Sequence, residues 1–179
     1  WPATIREQIV SAMDEAVALY NRHGHFTKRI TVRYDADVPT AQAGFGGTIT
    51  FGGSRSMRVA LHEISHTLGI GTQSRWDQRV QGGTWVGNHA NRLLRRYEGE
   101  TATLNGDGWH FWPYGLNRAG YDMQERRRHV KMVEALRRDM GLHGTEGVAI
   151  NATDRPNLNG VRSMERMFYG AAAIRADLS

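Results

Sequence analysis

His62 and His66 stand four residues apart with Glu63 next to the first, inside a segment that reads as one short amphipathic helix. This feature constrains the chain more than any other. Positions four apart on a helix lie one above the other, so both imidazoles can reach one small cation, with nitrogens about 2.0–2.1 Å from zinc. Glu63 projects beside such an ion rather than onto it. From there it can take a proton from metal-bound water, whose pKa falls to about 7. Ser54 or Ser56 can cap the helix, which is expected to run to about Leu68, and Gly69 ends it. Met57, Leu61, Ile64 and Leu68 form an apolar stripe expected on the face opposite the histidines.

Composition narrows the donor set. The chain has 179 residues and no cysteine, so a metal must be held by His, Asp or Glu, and disulfides are excluded. A hydrophobic fraction of 40% is enough for a packed core. No stretch approaches the ~20 consecutive apolar residues of a membrane helix, so no membrane partner is expected. The net charge is +5, but the arginines are scattered, and Arg126-Arg127-Arg128 would splay around one exposed helical turn. That argues for a basic soluble surface and against nucleic acid. The chain opens on Trp1 without a basic-then-apolar leader, which suggests a mature piece of a longer precursor.

Periodicity predicts a helix over 3–22, a strand over 29–35, a loop around Pro39 and a Gly-flanked strand over 48–51. Residues 70–87 and 99–121 read as irregular, the second unusually aromatic. Helices are expected over 88–98 and 122–140, and a last helix over 161–178. The predicted class is α+β: a small twisted sheet and two helices over 1–69, a helical and irregular part over 70–179, and a cleft between them.

The run His62-Glu63-x-x-His66-x-x-Gly69 resembles the active-site helix of the zincin metallopeptidases, most closely the metzincin branch. That branch places a third histidine three residues after the glycine. Here the position is Thr72, which cannot replace it, so the third ligand must come from elsewhere. His110 is the first choice, between aromatic residues in a Gly-rich turn, with Asp107 or Asp122 available to orient it. Glu98 and Glu100 are rivals because the thermolysin-like branch uses a Glu from a later helix. Asp77 is a third option, and His89 a fourth without an obvious buried face. His23, His25, His129 and His143 read as surface or capping residues.

The resemblance implies a zincin-like fold, Zn2+ as cofactor and a peptide or protein substrate. It implies Glu63-assisted attack of water on the scissile carbonyl, with Tyr114 or Tyr121 as candidate oxyanion donors. It also implies an edge strand that pairs with extended substrate, assigned by position to residues 47–52. Met123, Met164 and Met167 are candidates to lie beneath the metal. A secreted monomer is expected. The alternative is a non-catalytic module on the same scaffold, with Trp76, Trp85, Trp109 and Trp112 stacking on sugar rings.

Overall fold

The computed structural model describes residues 1–142 and the backbone of strand 174–178. It is a mixed α+β structure whose N-terminal sheet backs the helix that carries His62 and His66. Helix α1 (Ala3–His23) buries Ile9, Met13, Ala16 and Tyr20 at the three-and-four spacing its sequence announces. Strand β1 (Lys28–Tyr34) alternates, with Ile30 and Val32 fully buried. Strand β3 (Thr48–Phe51) does the same with Ile49 and Phe51 and runs parallel to β1, Thr31 facing Thr48 and Tyr34 facing Phe51.

Two expectations change in this sheet. Its strand order is β2 (Ala41–Ala43), β3, β1 and β8 (Ile174–Leu178), so β3 is internal and does not form the edge assigned to 47–52. That edge belongs to β2 (Ala41–Ala43), a short strand antiparallel to β3 in a stretch that reads as loop. The expected last helix gives way, over its final residues, to strand β8 (Ile174–Leu178), parallel to β1 with Ile30 facing Ala176. The remainder of that expected helix, with Met164 and Met167, lies outside the described residues, as does His143.

Helix α2 (Met57–Thr67) begins at Ser56, whose hydroxyl accepts from the Val59 amide at 3.4 Å. Leu61, Ile64 and Leu68 are fully buried as expected. The opposite face is not open, however: Glu63, Ser65, His66 and Thr67 are buried too. The helix is enclosed by α1, the sheet and α5 (Met123–Asp139). Buried Arg137 of α5 donates to the Leu68 carbonyl, one of the acceptors that a helix end leaves unpaired.

The stretches read as irregular contain a second small sheet. After a single helical turn, α3 (Ser74–Asp77), come β4 (Val80–Gln81), β5 (Thr84–Trp85), β6 (Asn105–Gly106) and β7 (Phe111–Trp112), antiparallel in the order β4-β5-β6-β7. Helix α4 (Asn88–Glu98) lies between β5 and β6. Strands of two residues cannot hold a register alone, and side chains supply the rest. Asn91 accepts from the Leu104 amide at 3.0 Å and donates to the carbonyls of Trp85 and Gly87. Trp76 Nε1 donates to the Asp107 carbonyl at 2.8 Å. Asp139 accepts from Trp85 Nε1 and from the His89 and Ala90 amides, capping α4 in place of Gly87.

Candidate metal centre

Among the described residues, His62, His66 and His110 each place a ring nitrogen within 4.8 Å of the other two. The two helical imidazoles are fixed from behind. His62 Nδ1 lies 2.8 Å from the Gly115 carbonyl, and His66 Nδ1 lies 2.8 Å from the Ile70 carbonyl. A carbonyl only accepts, so each Nδ1 carries the proton and each Nε2 is a bare lone pair. Those two Nε2 atoms face one another at 3.1 Å with no proton to share. Burial pushes the His62 imidazole down to about 3, with His66 adding to the effect, and lowers His66 as well. Protonation at neutral pH is therefore not the remedy. Two nitrogens bound tetrahedrally at 2.0–2.1 Å would lie about 3.3–3.4 Å apart, close to the observed spacing. The donor set therefore fits zinc.

The third imidazole arrives on the tip of the β6–β7 hairpin. Asp107 Oδ1 accepts from the Trp109 and His110 amides at 2.7 and 2.6 Å and lies 3.5 Å from His110 Nδ1. Of the two carboxylates considered as orienting groups, Asp107 stands beside His110, while Asp122 caps α5 in a capping box with Glu125. The hairpin approaches α2 through Gly71, which has φ +66°. A Cβ there would fall 2.2 Å from the Trp109 carbonyl oxygen. Gly69, at φ +109°, turns the chain out of the helix. Thr72, three residues after Gly69, donates to the His66 carbonyl at 2.5 Å.

The loop after β7 supplies three consecutive carbonyls to this region. Tyr114 O accepts from His129 Nδ1 at 2.7 Å, Gly115 O from His62 Nδ1, and Leu116 O from Arg58 at 2.6 Å. Tyr114 and Leu116 hold φ of 69° and 56°, a region that side-chain-bearing residues rarely adopt. Both are buried, so packing sustains the strain.

Glu63 is buried on the same helix as His62 and His66, 5% exposed. Burial pushes its carboxyl up to about 7, against the pull of Arg58. A carboxylate tuned there can both accept and return a proton near neutral pH.

Other expectations fare differently. Glu98 is exposed and pairs with Arg128 at 3.1 Å, and its Oε1 also accepts from the Tyr114 hydroxyl. The Tyr114 hydroxyl thus donates to Glu98 and accepts from Arg128. Tyr121 is half-buried against the core. Glu100 and Asp77 are exposed and stand outside the three-histidine group. His89 is exposed and bonds Asp139 at 2.9 Å, and His25 bonds Glu134 at 2.8 Å. Met123 is largely exposed at the start of α5.

His129 is no surface residue. It is fully buried, its Nε2 is 2.9 Å from the Tyr20 hydroxyl, and its ring stacks on Phe111. Burial holds it down at about 4. Its position one turn before Val133, on the stripe that continues to Leu136, was the available signal. The supposed aromatic platform also divides: Trp76 and Trp85 pack on one another at 4.8 Å and are buried, while Trp109 and Trp112 remain exposed.

No family model, curated protein or solved structure matches this chain.

Proposed function

We propose that the chain is a secreted zinc-dependent endopeptidase of zincin type, with His62, His66 and His110 holding the metal. The observation that carries this reading is the pair of bare Nε2 atoms at 3.1 Å, backed by carbonyls and completed by a third imidazole from a separate hairpin. Two ring nitrogens with no proton between them are stabilised when a cation stands against both. Three protein ligands that leave an open position are the pattern of a catalytic rather than a structural zinc.

Zinc in this site would supply Lewis acidity, polarising a substrate carbonyl and acidifying water. The rest falls to the chain. Glu63 takes the proton of the attacking water and returns it to the departing amine, and its elevated pKa suits both transfers. The carbonyls of Gly115 and Ile70 hold the two helical imidazoles in one tautomer and orientation. Extended substrate would pair with β2, which among the described residues ends its sheet and which packs beside α2.

The test combines metal content with activity. The purified chain should hold one zinc per molecule and cleave an unfolded protein, and chelation should abolish cleavage. Glu63→Gln should keep the zinc and lose about 10²–10⁴-fold in rate. A Glu63→Gln protein with full activity would remove Glu63 from the chemistry, and absence of zinc would end the reading.

A further inference from the structure

We infer that Trp112, with Trp109 beside it, forms a subsite that takes a large apolar or aromatic side chain of the peptide substrate next to the scissile bond. This rests on the peptidase reading and adds a preference to it.

Four observations place the subsite there. Successive residues of a strand point to opposite faces, and this hairpin obeys the rule around β7. Phe111 turns inward and is buried against His129, while His110 and Trp112 share the other face. The Trp112 ring lies 6.4 Å from the His110 ring, edge-on to it, so an indole stands one side chain away from a metal ligand. Trp109 and Trp112 are 61% and 40% exposed, whereas Trp76 and Trp85 are 0% and 1% exposed. The chain can bury indoles in this region, yet it leaves outward the two that flank His110. Finally, the platform is rigid before any ligand arrives. Asp107 holds the amides of Trp109 and His110, β6 pairs with β7 through Asn105 and Trp112, and Trp109's backbone abuts Gly71. Little ordering is then left to oppose binding.

Large exposed apolar groups on a fixed scaffold mark contact surfaces, and indoles offer wide contact at low entropic cost. Asp107 turns its Oδ1 to the hairpin's own amides, which leaves the two indoles as the large apolar side chains exposed beside His110. A sugar ring could also lie on an exposed indole. The peptide is favoured because the neighbouring three-histidine group and Glu63 offer hydrolytic chemistry suited to an amide.

The experiment uses the full zinc-loaded chain with Glu63→Gln, so that peptide binds without being cut. Peptides of one sequence, differing at a single position as Phe, Leu, Ala or Glu, are titrated and binding is read by calorimetry. Phe and Leu should bind about tenfold or more tighter than Ala. Adding Trp112→Ala should reduce that ratio to near one with zinc content unchanged, Trp112→Phe should restore most of it, and Trp109→Ala should lower it less. A ratio that survives Trp112→Ala overturns the subsite. So does oligosaccharide binding that requires Trp112 while the peptide ratio stays flat. The two readings fail separately: a Trp112-dependent ratio in a chain whose Glu63 form cuts nothing removes the peptidase and leaves the subsite. Cleavage indifferent to Trp112 does the reverse.

Discussion

Helix α2 and the β6–β7 hairpin each bring imidazole to the same point, but by different physics. The helix places His62 and His66 through local geometry: a spacing of four residues, a Ser56 cap and a glycine exit. The hairpin shapes its tip through the local Asp107 turn but places His110 through tertiary contacts. Its strands are two residues long, and its position depends on Trp76, Asp107 and the bare Cα of Gly71. The two helical imidazoles come from one secondary element, whereas the third requires distant segments to agree.

The sharpest way to break the comparison is to remove ligands from each side. His66→Ala deletes a buried member of the facing pair and should abolish stoichiometric zinc and all cleavage. His110→Ala leaves that pair intact, so it should retain zinc at greatly reduced affinity while cleavage falls below detection. Zinc content by atomic absorption at a series of free-metal concentrations distinguishes the two. Equal affinities would mean the hairpin matters as much to capture as the helix does.

The second test concerns protons. In the metal-free protein, Glu63 holds its proton up to about pH 7, against a reference value of 4.5. As pH falls from 7 to 4.5 the folded chain therefore binds a proton that the unfolded chain does not, and this stabilises the fold by up to about 3 kcal/mol. His129 and His62 act oppositely. The unfolded chain protonates them below about 6.5, the folded chain only near 4 and 3, so stability is lost as pH falls through that window. Glu63→Gln removes the compensating uptake. Its thermal midpoint should drop more steeply than wild type between pH 7 and 4.5, and parallel profiles would show that Glu63 titrates normally.

How much of this was legible follows the same division. Helices α1, α2, α4 and α5 and strands β1 and β3 carry periodic burial over four or more residues, and a single chain displays that pattern. That His62, Glu63 and His66 share one helix was legible for the same reason. Strand β2 and strands β4–β7 are too short to show a period, and their stability lies in side-chain bonds that span long stretches of sequence. Asp139 meets Trp85, His89 and Ala90 across about fifty positions, which no local pattern announces. His110 was legible as chemistry, a histidine among aromatics in a Gly-rich turn. Its position was not, because the two-residue strands that carry it leave no periodic trace.

Glycines test whether that placement is as contingent as it looks. Gly71→Ala puts a Cβ against the Trp109 backbone at a residue with φ +66°, while a Cβ at Gly108, on the same hairpin, meets nothing within 4 Å. The first should cost about 2 kcal/mol of stability and weaken zinc binding. The second should leave both within error in denaturant melts and metal titrations. If both variants behave like wild type, the hairpin is not held by its contact with α2.

The smallest expected effect sharpens the contrast most. His62 and His66 are oriented by backbone carbonyls, which no substitution can remove, but His110 is oriented by a side chain. Asp107 lies 3.5 Å from His110 Nδ1, with both side chains partly exposed, a long and wet contact. Losing an orienting partner of a metal ligand typically costs 10–100-fold in affinity, and this geometry belongs at the lower end. Asp107→Ala should therefore weaken zinc about tenfold, roughly 1.4 kcal/mol. Asp107→Asn, which keeps an acceptor for the Trp109 and His110 amides, should recover part of the loss. Competition with a chelator of known affinity measures both. Full recovery by Asn would assign Asp107's role to holding the turn rather than to the carboxylate charge beside the imidazole, and no loss in either variant would leave His110 positioned by Gly71 and Trp76 alone.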